Sequence, residues 1–225
     1  MDWKEILEFT RGPFFQVALM IFVGGMAYRL MRVLLLGWPR DRVPSKGSKL
    51  GGVVIAYLKG IIIWPFVPWV KNTFSKKPIM YLAGGIFHLG LFCIVFFGTP
   101  HMLVWKSLIG LGWSTLPLPI VDWLAAVTIV AMGVLFVNRL VDPVLRLITG
   151  AAEWLNLLCV FVPMVTGYMM THHLLSPYEM LFALHMISID ILLIWIPFSR
   201  ISHFMFYFFS KTIHGAQFGK RAVTP

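Results

Sequence analysis

The sequence of 225 residues has little charge and little cysteine. Only 12% of its residues are charged, about half the usual share of about 25% in a soluble domain. Its two cysteines, Cys93 and Cys159, both fall inside apolar runs, which excludes a secreted disulfide scaffold. It contains no Walker loop, dinucleotide fingerprint, paired-cysteine metal motif or serine-nucleophile pattern. We therefore do not expect this chain to catalyse a reaction alone.

Long apolar runs dominate what is present, since 59% of the residues are hydrophobic. Five runs reach the roughly 20 residues that cross a hydrocarbon core of about 30 Å. They lack the period-two alternation of a membrane β-barrel. We predict an all-α integral membrane protein, one domain of residues 1–225, whose five transmembrane helices form a bundle. The predicted helices cover residues 13–37, 79–104, 121–141, 151–170 and 178–209.

The first loop, residues 38–78, contains a further apolar stretch at 51–70. Lys59 lies in its middle and prolines interrupt it, so a spanning helix would bury a charge and break its own hydrogen bonds. We predict an interfacial helical segment, anchored by tryptophans. The alternative is that the stretch spans, which would change the topology. The prolines and tryptophans are Pro65, Pro68, Trp64 and Trp69.

The basic residues predict the orientation, because cytoplasmic loops carry an excess of Lys and Arg. The first loop carries Arg40, Arg42, Lys46, Lys49, Lys59, Lys71, Lys76 and Lys77 against Asp41. Arg139, Arg146, Arg200, Lys211, Lys220 and Arg221 fall on the same side of a five-helix protein. The N-terminus is then outside and the C-terminus cytoplasmic, in a prokaryotic cytoplasmic membrane. The net charge of +10 fits acidic lipids better than nucleic acid.

Histidines are the notable polar residues of the apolar segments. His88, His185 and His203 lie within such segments or at their ends. Neutral imidazole is a good iron ligand, and two histidines from neighbouring helices can hold one haem. The alternative for any one of them is a hydrogen bond to a neighbouring helix or a place on a proton path.

Pairing favours the haem interpretation. The second and fifth segments run in opposite directions, so His88 lies level with His203 on the inner side, and His101 lies level with His185 on the outer side. His185 and His203 are 18 residues apart, about five turns, which predicts one face of a continuous helix. On the second segment, His88 and His101 do not share a face of an ideal helix. The outer pair is therefore a hypothesis, and His172 and His173 are rival outer ligands or groups of a quinol pocket.

Two motifs resemble a known family. Residues 184–203, LHMISIDILLIWIPFSRISH, are similar to the last helix of the gamma subunit of respiratory nitrate reductase. The FHLG at residues 87–90 is similar to the start of that family's second helix. The resemblance extends to the membrane cytochromes b of dissimilatory sulfite-reduction and heterodisulfide-reductase-like complexes. It implies that His88 and His203 ligate an inner b-type haem and that His185 ligates an outer one.

The sequence departs from the family pattern at one ligand position. Nitrate reductase gamma subunits place the second ligand of this helix ten residues after the first, and here that position is Gly98. The nearest substitute is His101, so the outer haem is either ligated three residues later or lost. The long basic loop is larger than the nitrate reductase pattern requires, which favours the sulfur-metabolism branch or another relative with a different cytoplasmic partner.

Three other residues are candidates around such haems, each with a structural alternative. Asp190 is an intramembrane carboxylate that would relay a quinol proton, or a hydrogen-bonded structural acid. Lys106 would bond a quinone carbonyl, or snorkel to the interface. Arg200 would pair with a haem propionate, or would only add to the positive charge of the cytoplasmic side.

The resemblance implies an electron-transfer subunit of a quinol-dependent oxidoreductase complex. Menaquinol or a similar quinol would be oxidised on the outer side, and electrons would reach a cytoplasmic iron–sulfur subunit of the same respiratory complex. Two b haems are expected and one is the minimum for a cytochrome. The alternatives are a monohaem or haem-free membrane anchor, and a proton-linked transporter.

Overall fold

The computed structural model describes residues 2–37, 44–63, 67, 73–174 and 177–223. These residues form helices and short connections, and none of them is in a strand. They fall into two compact units. The first unit combines Met1–Ala18 with Lys77–Leu192, and the second combines Leu19–Lys76 with Leu193–Pro225. The single domain of the sequence analysis stays a prediction.

We number the α-helices of the described residues in chain order. They are α1 Trp3–Phe9, α2 Phe15–Leu35, α3 Lys49–Tyr57, α4 Thr73–Lys76, α5 Pro78–Phe97, α6 Thr99–Ile109, α7 Leu118–Val141, α8 Pro143–Ile148, α9 Ala151–Thr171, α10 Tyr178–Trp195 and α11 His203–Lys220. π-Helical turns at Thr10–Phe14 and Leu58–Ile63 extend α1 and α3. Two 3₁₀ turns, Ile196–Phe198 and Arg200–Ser202, lie between α10 and α11.

Five helices within the described residues are long and apolar enough to cross a membrane. They are Trp3–Leu35, Pro78–Phe97, Leu118–Val141, Ala151–Thr171 and Tyr178–Phe198. The prediction of an all-helical chain with five helices able to span a membrane is therefore confirmed for the described residues, and these helices indicate a multi-pass protein of a lipid bilayer. The bounds differ most in three helices, since the first begins earlier, and the second and fifth end earlier, than predicted.

The first helix begins at Trp3 because its start is capped by acidic residues. Asp2 Oδ1 accepts from the Trp3 backbone N–H at 2.6 Å, and the Asp2 N–H donates to Glu5 Oε2 at 3.2 Å. Such a reciprocal cap satisfies donors that a helix start leaves unpaired. The helix then kinks at Gly12 and Pro13, where the backbone leaves helical angles. The start of this helix carries charged residues, so it lies outside the apolar run from which the helix was predicted.

In the first unit, α5 packs closely on α7, and α9 packs on the same helix. Gly90 allows the closest approach, because a Cβ there would collide with the Thr128 hydroxyl. The buried centre consists of Ile94, Met132 and Met164, surrounded by partly buried apolar residues. This packing holds α9, which contacts the ring of His185, and α5, which precedes the helix of His101.

In the second unit, α3 packs along α11 through glycine. A Cβ at Gly52 would collide with the Gly215 carbonyl, and one at Gly219 would lie 2.7 Å from Gly52 Cα. Small residues let helix backbones approach in this way. Tyr57 also donates its hydroxyl to Phe208 O at 2.9 Å. The predicted helical segment of the first loop is thus present, and its place at the membrane interface stays a prediction.

Several residues of the sequence analysis lie outside the described residues. They are Arg40, Asp41, Arg42, Trp64, Pro65, Pro68, Trp69 and Lys71. The predicted anchoring tryptophans and three of the eight basic residues of the first loop therefore stay predictions.

Two apolar segments are broken rather than continuous. The break at Gly98, between α5 and α6, was indicated by the glycine and by Pro100. The prediction of one continuous helix over residues 178–209 is wrong, because α10 ends at Trp195 and Pro197 follows. Proline lacks the backbone N–H and clashes with the preceding turn. Hence the 18-residue interval between His185 and His203 does not place them on one helix face.

Candidate functional site

His101 on α6 and His185 on α10 lie together in the first unit. Their ring centroids are 6.5 Å apart and their planes are inclined by 70°. Two imidazoles that ligate one metal ion from opposite sides have centroids about 6 Å apart, since a metal–imidazole nitrogen bond is about 2.0–2.1 Å. The two rings therefore have the separation that one iron between them requires.

The ring of His185 is held by α9. Its Nδ1 lies 3.1 Å from Pro163 O and 3.2 Å from Thr166 Oγ1. A carbonyl oxygen only accepts, so Nδ1 carries the proton and Nε2 keeps the lone pair that binds a metal. Metal-ligating histidines commonly donate their other N–H to a carbonyl in this way. The environment of His185 thus presets its tautomer.

Gly167 makes room for that ring. A Cβ at position 167 would lie 3.0 Å from Cε1 and 3.2 Å from Nδ1 of His185. Any larger residue would push the imidazole away from α9, and Gly167 therefore belongs to the site although it carries no functional group.

The break at Gly98 positions His101 three residues later. Ending α5 inside an apolar segment frees backbone carbonyls, and in lipid these must find partners within the protein. Indole and backbone N–H groups from the following chain supply the partners. The bonds are Trp105 Nε1 to Val95 O at 3.0 Å, Trp113 Nε1 to Phe96 O at 2.6 Å, Leu116 N to Phe97 O at 2.9 Å and Gly98 N to Ile94 O at 3.0 Å. The break is therefore a fixed feature that sets the direction of α6.

His101 itself has a buried polar atom without a partner. Its Nδ1 is buried and makes no hydrogen bond within the described part of the chain. An unsatisfied buried polar atom costs about 1–3 kcal/mol. This nitrogen faces its own turn, because a Cβ at Gly98 would lie 3.2 Å from it, so it does not itself indicate a ligand. The 6.5 Å ring separation and the preset His185 tautomer are the features that could accommodate a metal cofactor between the two rings.

The inner candidates share the tautomer of His185. His88 Nδ1 lies 2.7 Å from Gly84 O on α5, and His203 Nδ1 lies 3.0 Å from Arg200 O. Both side chains are exposed. His88 belongs to the first unit and His203 to the second. In each ring Nδ1 is bonded within its own unit, which leaves Nε2 for another partner, and the pairing of His88 with His203 stays a prediction.

The rival outer residues have other neighbours. His172 Nε2 lies 4.0 Å from Asp122 Oδ1, and its ring lies 4.3 Å from the ring of Tyr168. The ring of His173 lies 5.6 Å from the ring of Tyr178, and its backbone is left-handed at φ 50°. The structure places His101, rather than either of these, beside His185.

The three further candidates have different surroundings. Asp190 is fully buried on α10, and neither carboxylate oxygen makes a hydrogen bond among the described residues. Lys106 is exposed on α6, five residues after His101. Arg200 is exposed in the turn before α11, where its carbonyl accepts from His203.

No group of three or more His, Cys, Asp and Glu side chains suited to a metal ion occurs among the described residues. A haem differs from such a site, because the porphyrin supplies most ligands and the protein adds only axial ones.

Sequence reasoning missed the residues that orient the histidines. Pro163 acts through its carbonyl, which leaves no signal in the sequence. Trp105 and Trp113 were not singled out, although two tryptophans shortly after a glycine–proline break are a usable signal for carbonyl capping. Arg29 lies inside an apolar segment, and its guanidinium donates to the turn before α11.

Comparisons with known proteins give one relative. The chain is 27% identical over 207 residues to a protein of Nitratidesulfovibrio vulgaris (strain Hildenborough), which covers 90% of this chain and 89% of that protein. No family model and no solved structure matches the chain. The likeness thus extends over nearly the whole length of both chains.

Proposed function

We propose that this protein is a membrane cytochrome b subunit that takes electrons from a quinol and delivers them to a cytoplasmic iron–sulfur partner in a respiratory complex. Two b-type haems are its redox groups. The observation that carries the proposal is the separation of 6.5 Å between the rings of His101 and His185. His185 supports it further, because its Nδ1 is engaged and its Nε2 is left as the ligand atom.

In this proposal His101 and His185 hold the outer haem, and His88 and His203 hold the inner one. When bound, each haem supplies one-electron transfer. The chain itself supplies axial ligands, fixed tautomers and an apolar surrounding that tunes the iron. The carbonyl partners of His88, His185 and His203 make all three imidazoles stronger ligands, because a donated N–H raises ligand basicity.

The proposed orientation of the protein in the membrane follows the distribution of its basic residues. The basic first loop and the C-terminal basic residues face the cytoplasm, and the N-terminus is outside. The basic loop would also attract an acidic surface of the iron–sulfur subunit. Arg200 lies exposed beside His203, where a guanidinium would pair with a haem propionate.

Quinol oxidation releases protons, and the outer ends of the helices carry groups that would accept them. His172 and Asp122 lie 4.0 Å apart there, with Tyr168 against the imidazole. His172 would take the quinol proton while Asp122 stabilises the resulting imidazolium. Lys106, exposed on α6, would donate to a quinone carbonyl.

Asp190 favours a second candidate function, a proton-linked transporter. A fully buried carboxyl with no hydrogen bond among the described residues is typical of intramembrane proton carriers. This function requires no haem. It predicts that the purified chain shows no visible absorbance and that Asp190→Asn abolishes proton uptake into vesicles.

The experiment that tests the proposal is anaerobic mixing of the purified, oxidised protein with a reduced menaquinone analogue. We expect the α-band of a reduced b-type cytochrome to grow, and to grow much more slowly in a His172→Ala variant. The matched control is His214→Ala, because His214 lies on α11 in the second unit. A protein that contains haem but is never reduced by quinol would overturn the quinol part of the proposal.

A further inference from the structure

Arg29 places a charged group against the turn between α10 and α11. It lies on α2, half-buried, within the second unit. Its Nη1 is 3.0 Å from Pro197 O, 2.9 Å from Ser199 O and 2.6 Å from Ser202 Oγ. A charge inside an apolar helix is expensive unless it meets such acceptors. These contacts therefore give the charge a specific structural partner.

The turn needs a donor of this kind. Pro197 interrupts the helix, and Ser199 has extended backbone angles of φ −119° and ψ 174°. The serines satisfy part of the freed backbone, since Ser199 Oγ accepts from the Ile201 N–H and Ser202 Oγ donates to Ser199 O. Arg29 supplies donors for the carbonyls of Pro197 and Ser199, which in a lipid surrounding must find partners within the protein. A guanidinium suits this task because its planar fork offers several N–H groups.

α2 approaches the turn closely at a glycine. Gly25, one turn before Arg29, lies so close to the break that a Cβ there would be 2.6 Å from Pro197 Cβ. On the other side of the turn, the Arg29 guanidinium carbon lies 5.1 Å from the ring centroid of Phe206 on α11. Arg29 thus contacts the turn and the first part of α11 together.

His203 begins α11 directly after this turn, and its Nδ1 donates to Arg200 O within it. The direction of the imidazole therefore depends on the turn geometry. We propose that Arg29 is a positioning residue, which fixes the turn through Pro197, Ser199 and Ser202 and thereby aims the ring of His203. The consequence for a haem rests on the function proposed above, whereas the contacts with the turn do not.

Arg32 provides a matched control. It lies three residues later on the same helix and is exposed, with its guanidinium carbon 5.9 Å from the ring centroid of Tyr28. If Arg29 served only the membrane orientation, Gln at either position would have the same effect. If Arg29 holds the turn, only its own substitution will loosen residues 199–206.

The experiment compares wild type with Arg29→Gln, Arg29→Lys and Arg32→Gln, purified in detergent. The first readout is hydrogen–deuterium exchange of peptides covering residues 196–206, which reports local opening. We expect faster exchange in Arg29→Gln, a smaller increase in Arg29→Lys, and wild-type exchange in Arg32→Gln. Arg29→Lys keeps the charge, so it tests the geometry even if Arg29→Gln does not fold. Equal exchange at residues 196–206 in wild type and in whichever Arg29 variants fold overturns the inference.

The second readout is a redox titration of the visible spectrum. We expect Arg29→Gln to lower the midpoint potential or the occupancy of one haem component and to leave the other unchanged, with Arg32→Gln like wild type. A wild-type protein without haem overturns the proposed function, and the exchange result then still decides the role of Arg29. A normal spectrum and potential in an Arg29→Gln protein with a loosened turn overturns the positioning of His203 alone.

Discussion

The chain opens an apolar helical segment at Gly98 and again between Ile196 and Ser202, and each break is followed closely by a candidate ligand. At the first break the freed carbonyls are bonded by neutral donors, including the indoles of Trp105 and Trp113. At the second they are bonded by the cationic guanidinium of Arg29. His101 follows the first break and His203 the second.

The difference between the two breaks teaches how a histidine is aimed inside a membrane protein. At both breaks, N–H donors of the protein bond the freed backbone carbonyls, because the lipid tails have no hydrogen-bond donors. The neutral donors come from the chain just after the break, so the first is a local motif. The charged donor comes from a residue 168 positions away, so the second depends on the packing of α2. We expect the first break to tolerate changes elsewhere better than the second.

The largest effect should follow substitution of the ligands themselves. His185→Ala or His101→Ala should each remove one of the two b haems per chain, because a haem held by two axial histidines loses one ligand. A pyridine haemochrome assay measures this loss. His173→Ala is the control, since the His173 ring lies against Tyr178. Loss of a haem in His173→Ala but not in His101→Ala would show that the outer ligand was misassigned.

Removing a neutral donor at the first break should have the next largest effect. Trp113→Phe leaves Phe96 O without its indole partner, a loss that costs about 1–3 kcal/mol for a buried group. The melting temperature in detergent should fall accordingly. Trp123→Phe is the matched control, because Trp123 is 74% exposed. Equal melting temperatures for the two variants would argue against a fixed break at Gly98.

A smaller effect is expected beside His185. Ala at position 167 would crowd the imidazole, since its Cβ would lie 3.0 Å from Cε1. Ala at position 133 would meet nothing within 4 Å, so it should gain up to about 1 kcal/mol of helix propensity. We expect Gly167→Ala to lower outer haem occupancy and Gly133→Ala to leave it unchanged, as measured by the reduced-minus-oxidised spectrum. An unchanged spectrum in both variants would mean that His185 has room to move.

The smallest effect concerns a helix junction outside the spans, where water competes with every bond. Lys77 Nζ donates to Asp142 Oδ2 at 2.7 Å, and this hydrogen bond holds the pKa of Asp142 below its ordinary value of 3.8. A depressed pKa contributes stability above pH 3.8 that is lost as the pH falls through the lower, folded value.

Asp142→Asn should therefore lower stability slightly at neutral pH and remove part of the acid sensitivity. Thermal unfolding of both proteins between pH 7 and pH 3 measures the stability and its loss on acidification. The amide oxygen of Asn still caps α8, so the helix should remain. A variant that loses as much stability on acidification as wild type would show that the ion pair contributes nothing.

Much of the fold could be predicted from the sequence, because an apolar run of about 20 residues is typical of a membrane-spanning helix and of few other structures. The break at Gly98 was also readable from glycine followed by Pro100. The break at Pro197 was missed, although proline inside an apolar run is the same kind of signal, because residues 178–209 form one apolar run that was interpreted as one continuous helix.

The site was readable only in part. Histidines in apolar segments are visible, and the pairing of His101 with His185 agrees with their separation of 6.5 Å. Their orienting partners were not visible, since Pro163 acts through a backbone carbonyl and Arg29 acts across 168 positions of sequence. Such contacts depend on packing that no local pattern encodes.

The most direct test of the account is the number of b haems bound per chain in the purified wild-type protein. A pyridine haemochrome assay set against protein concentration, with a reduced-minus-oxidised spectrum, gives that number. The account predicts two haems per chain. One haem per chain would mean that either the inner or the outer site does not bind haem. No haem at all would contradict the cytochrome assignment itself.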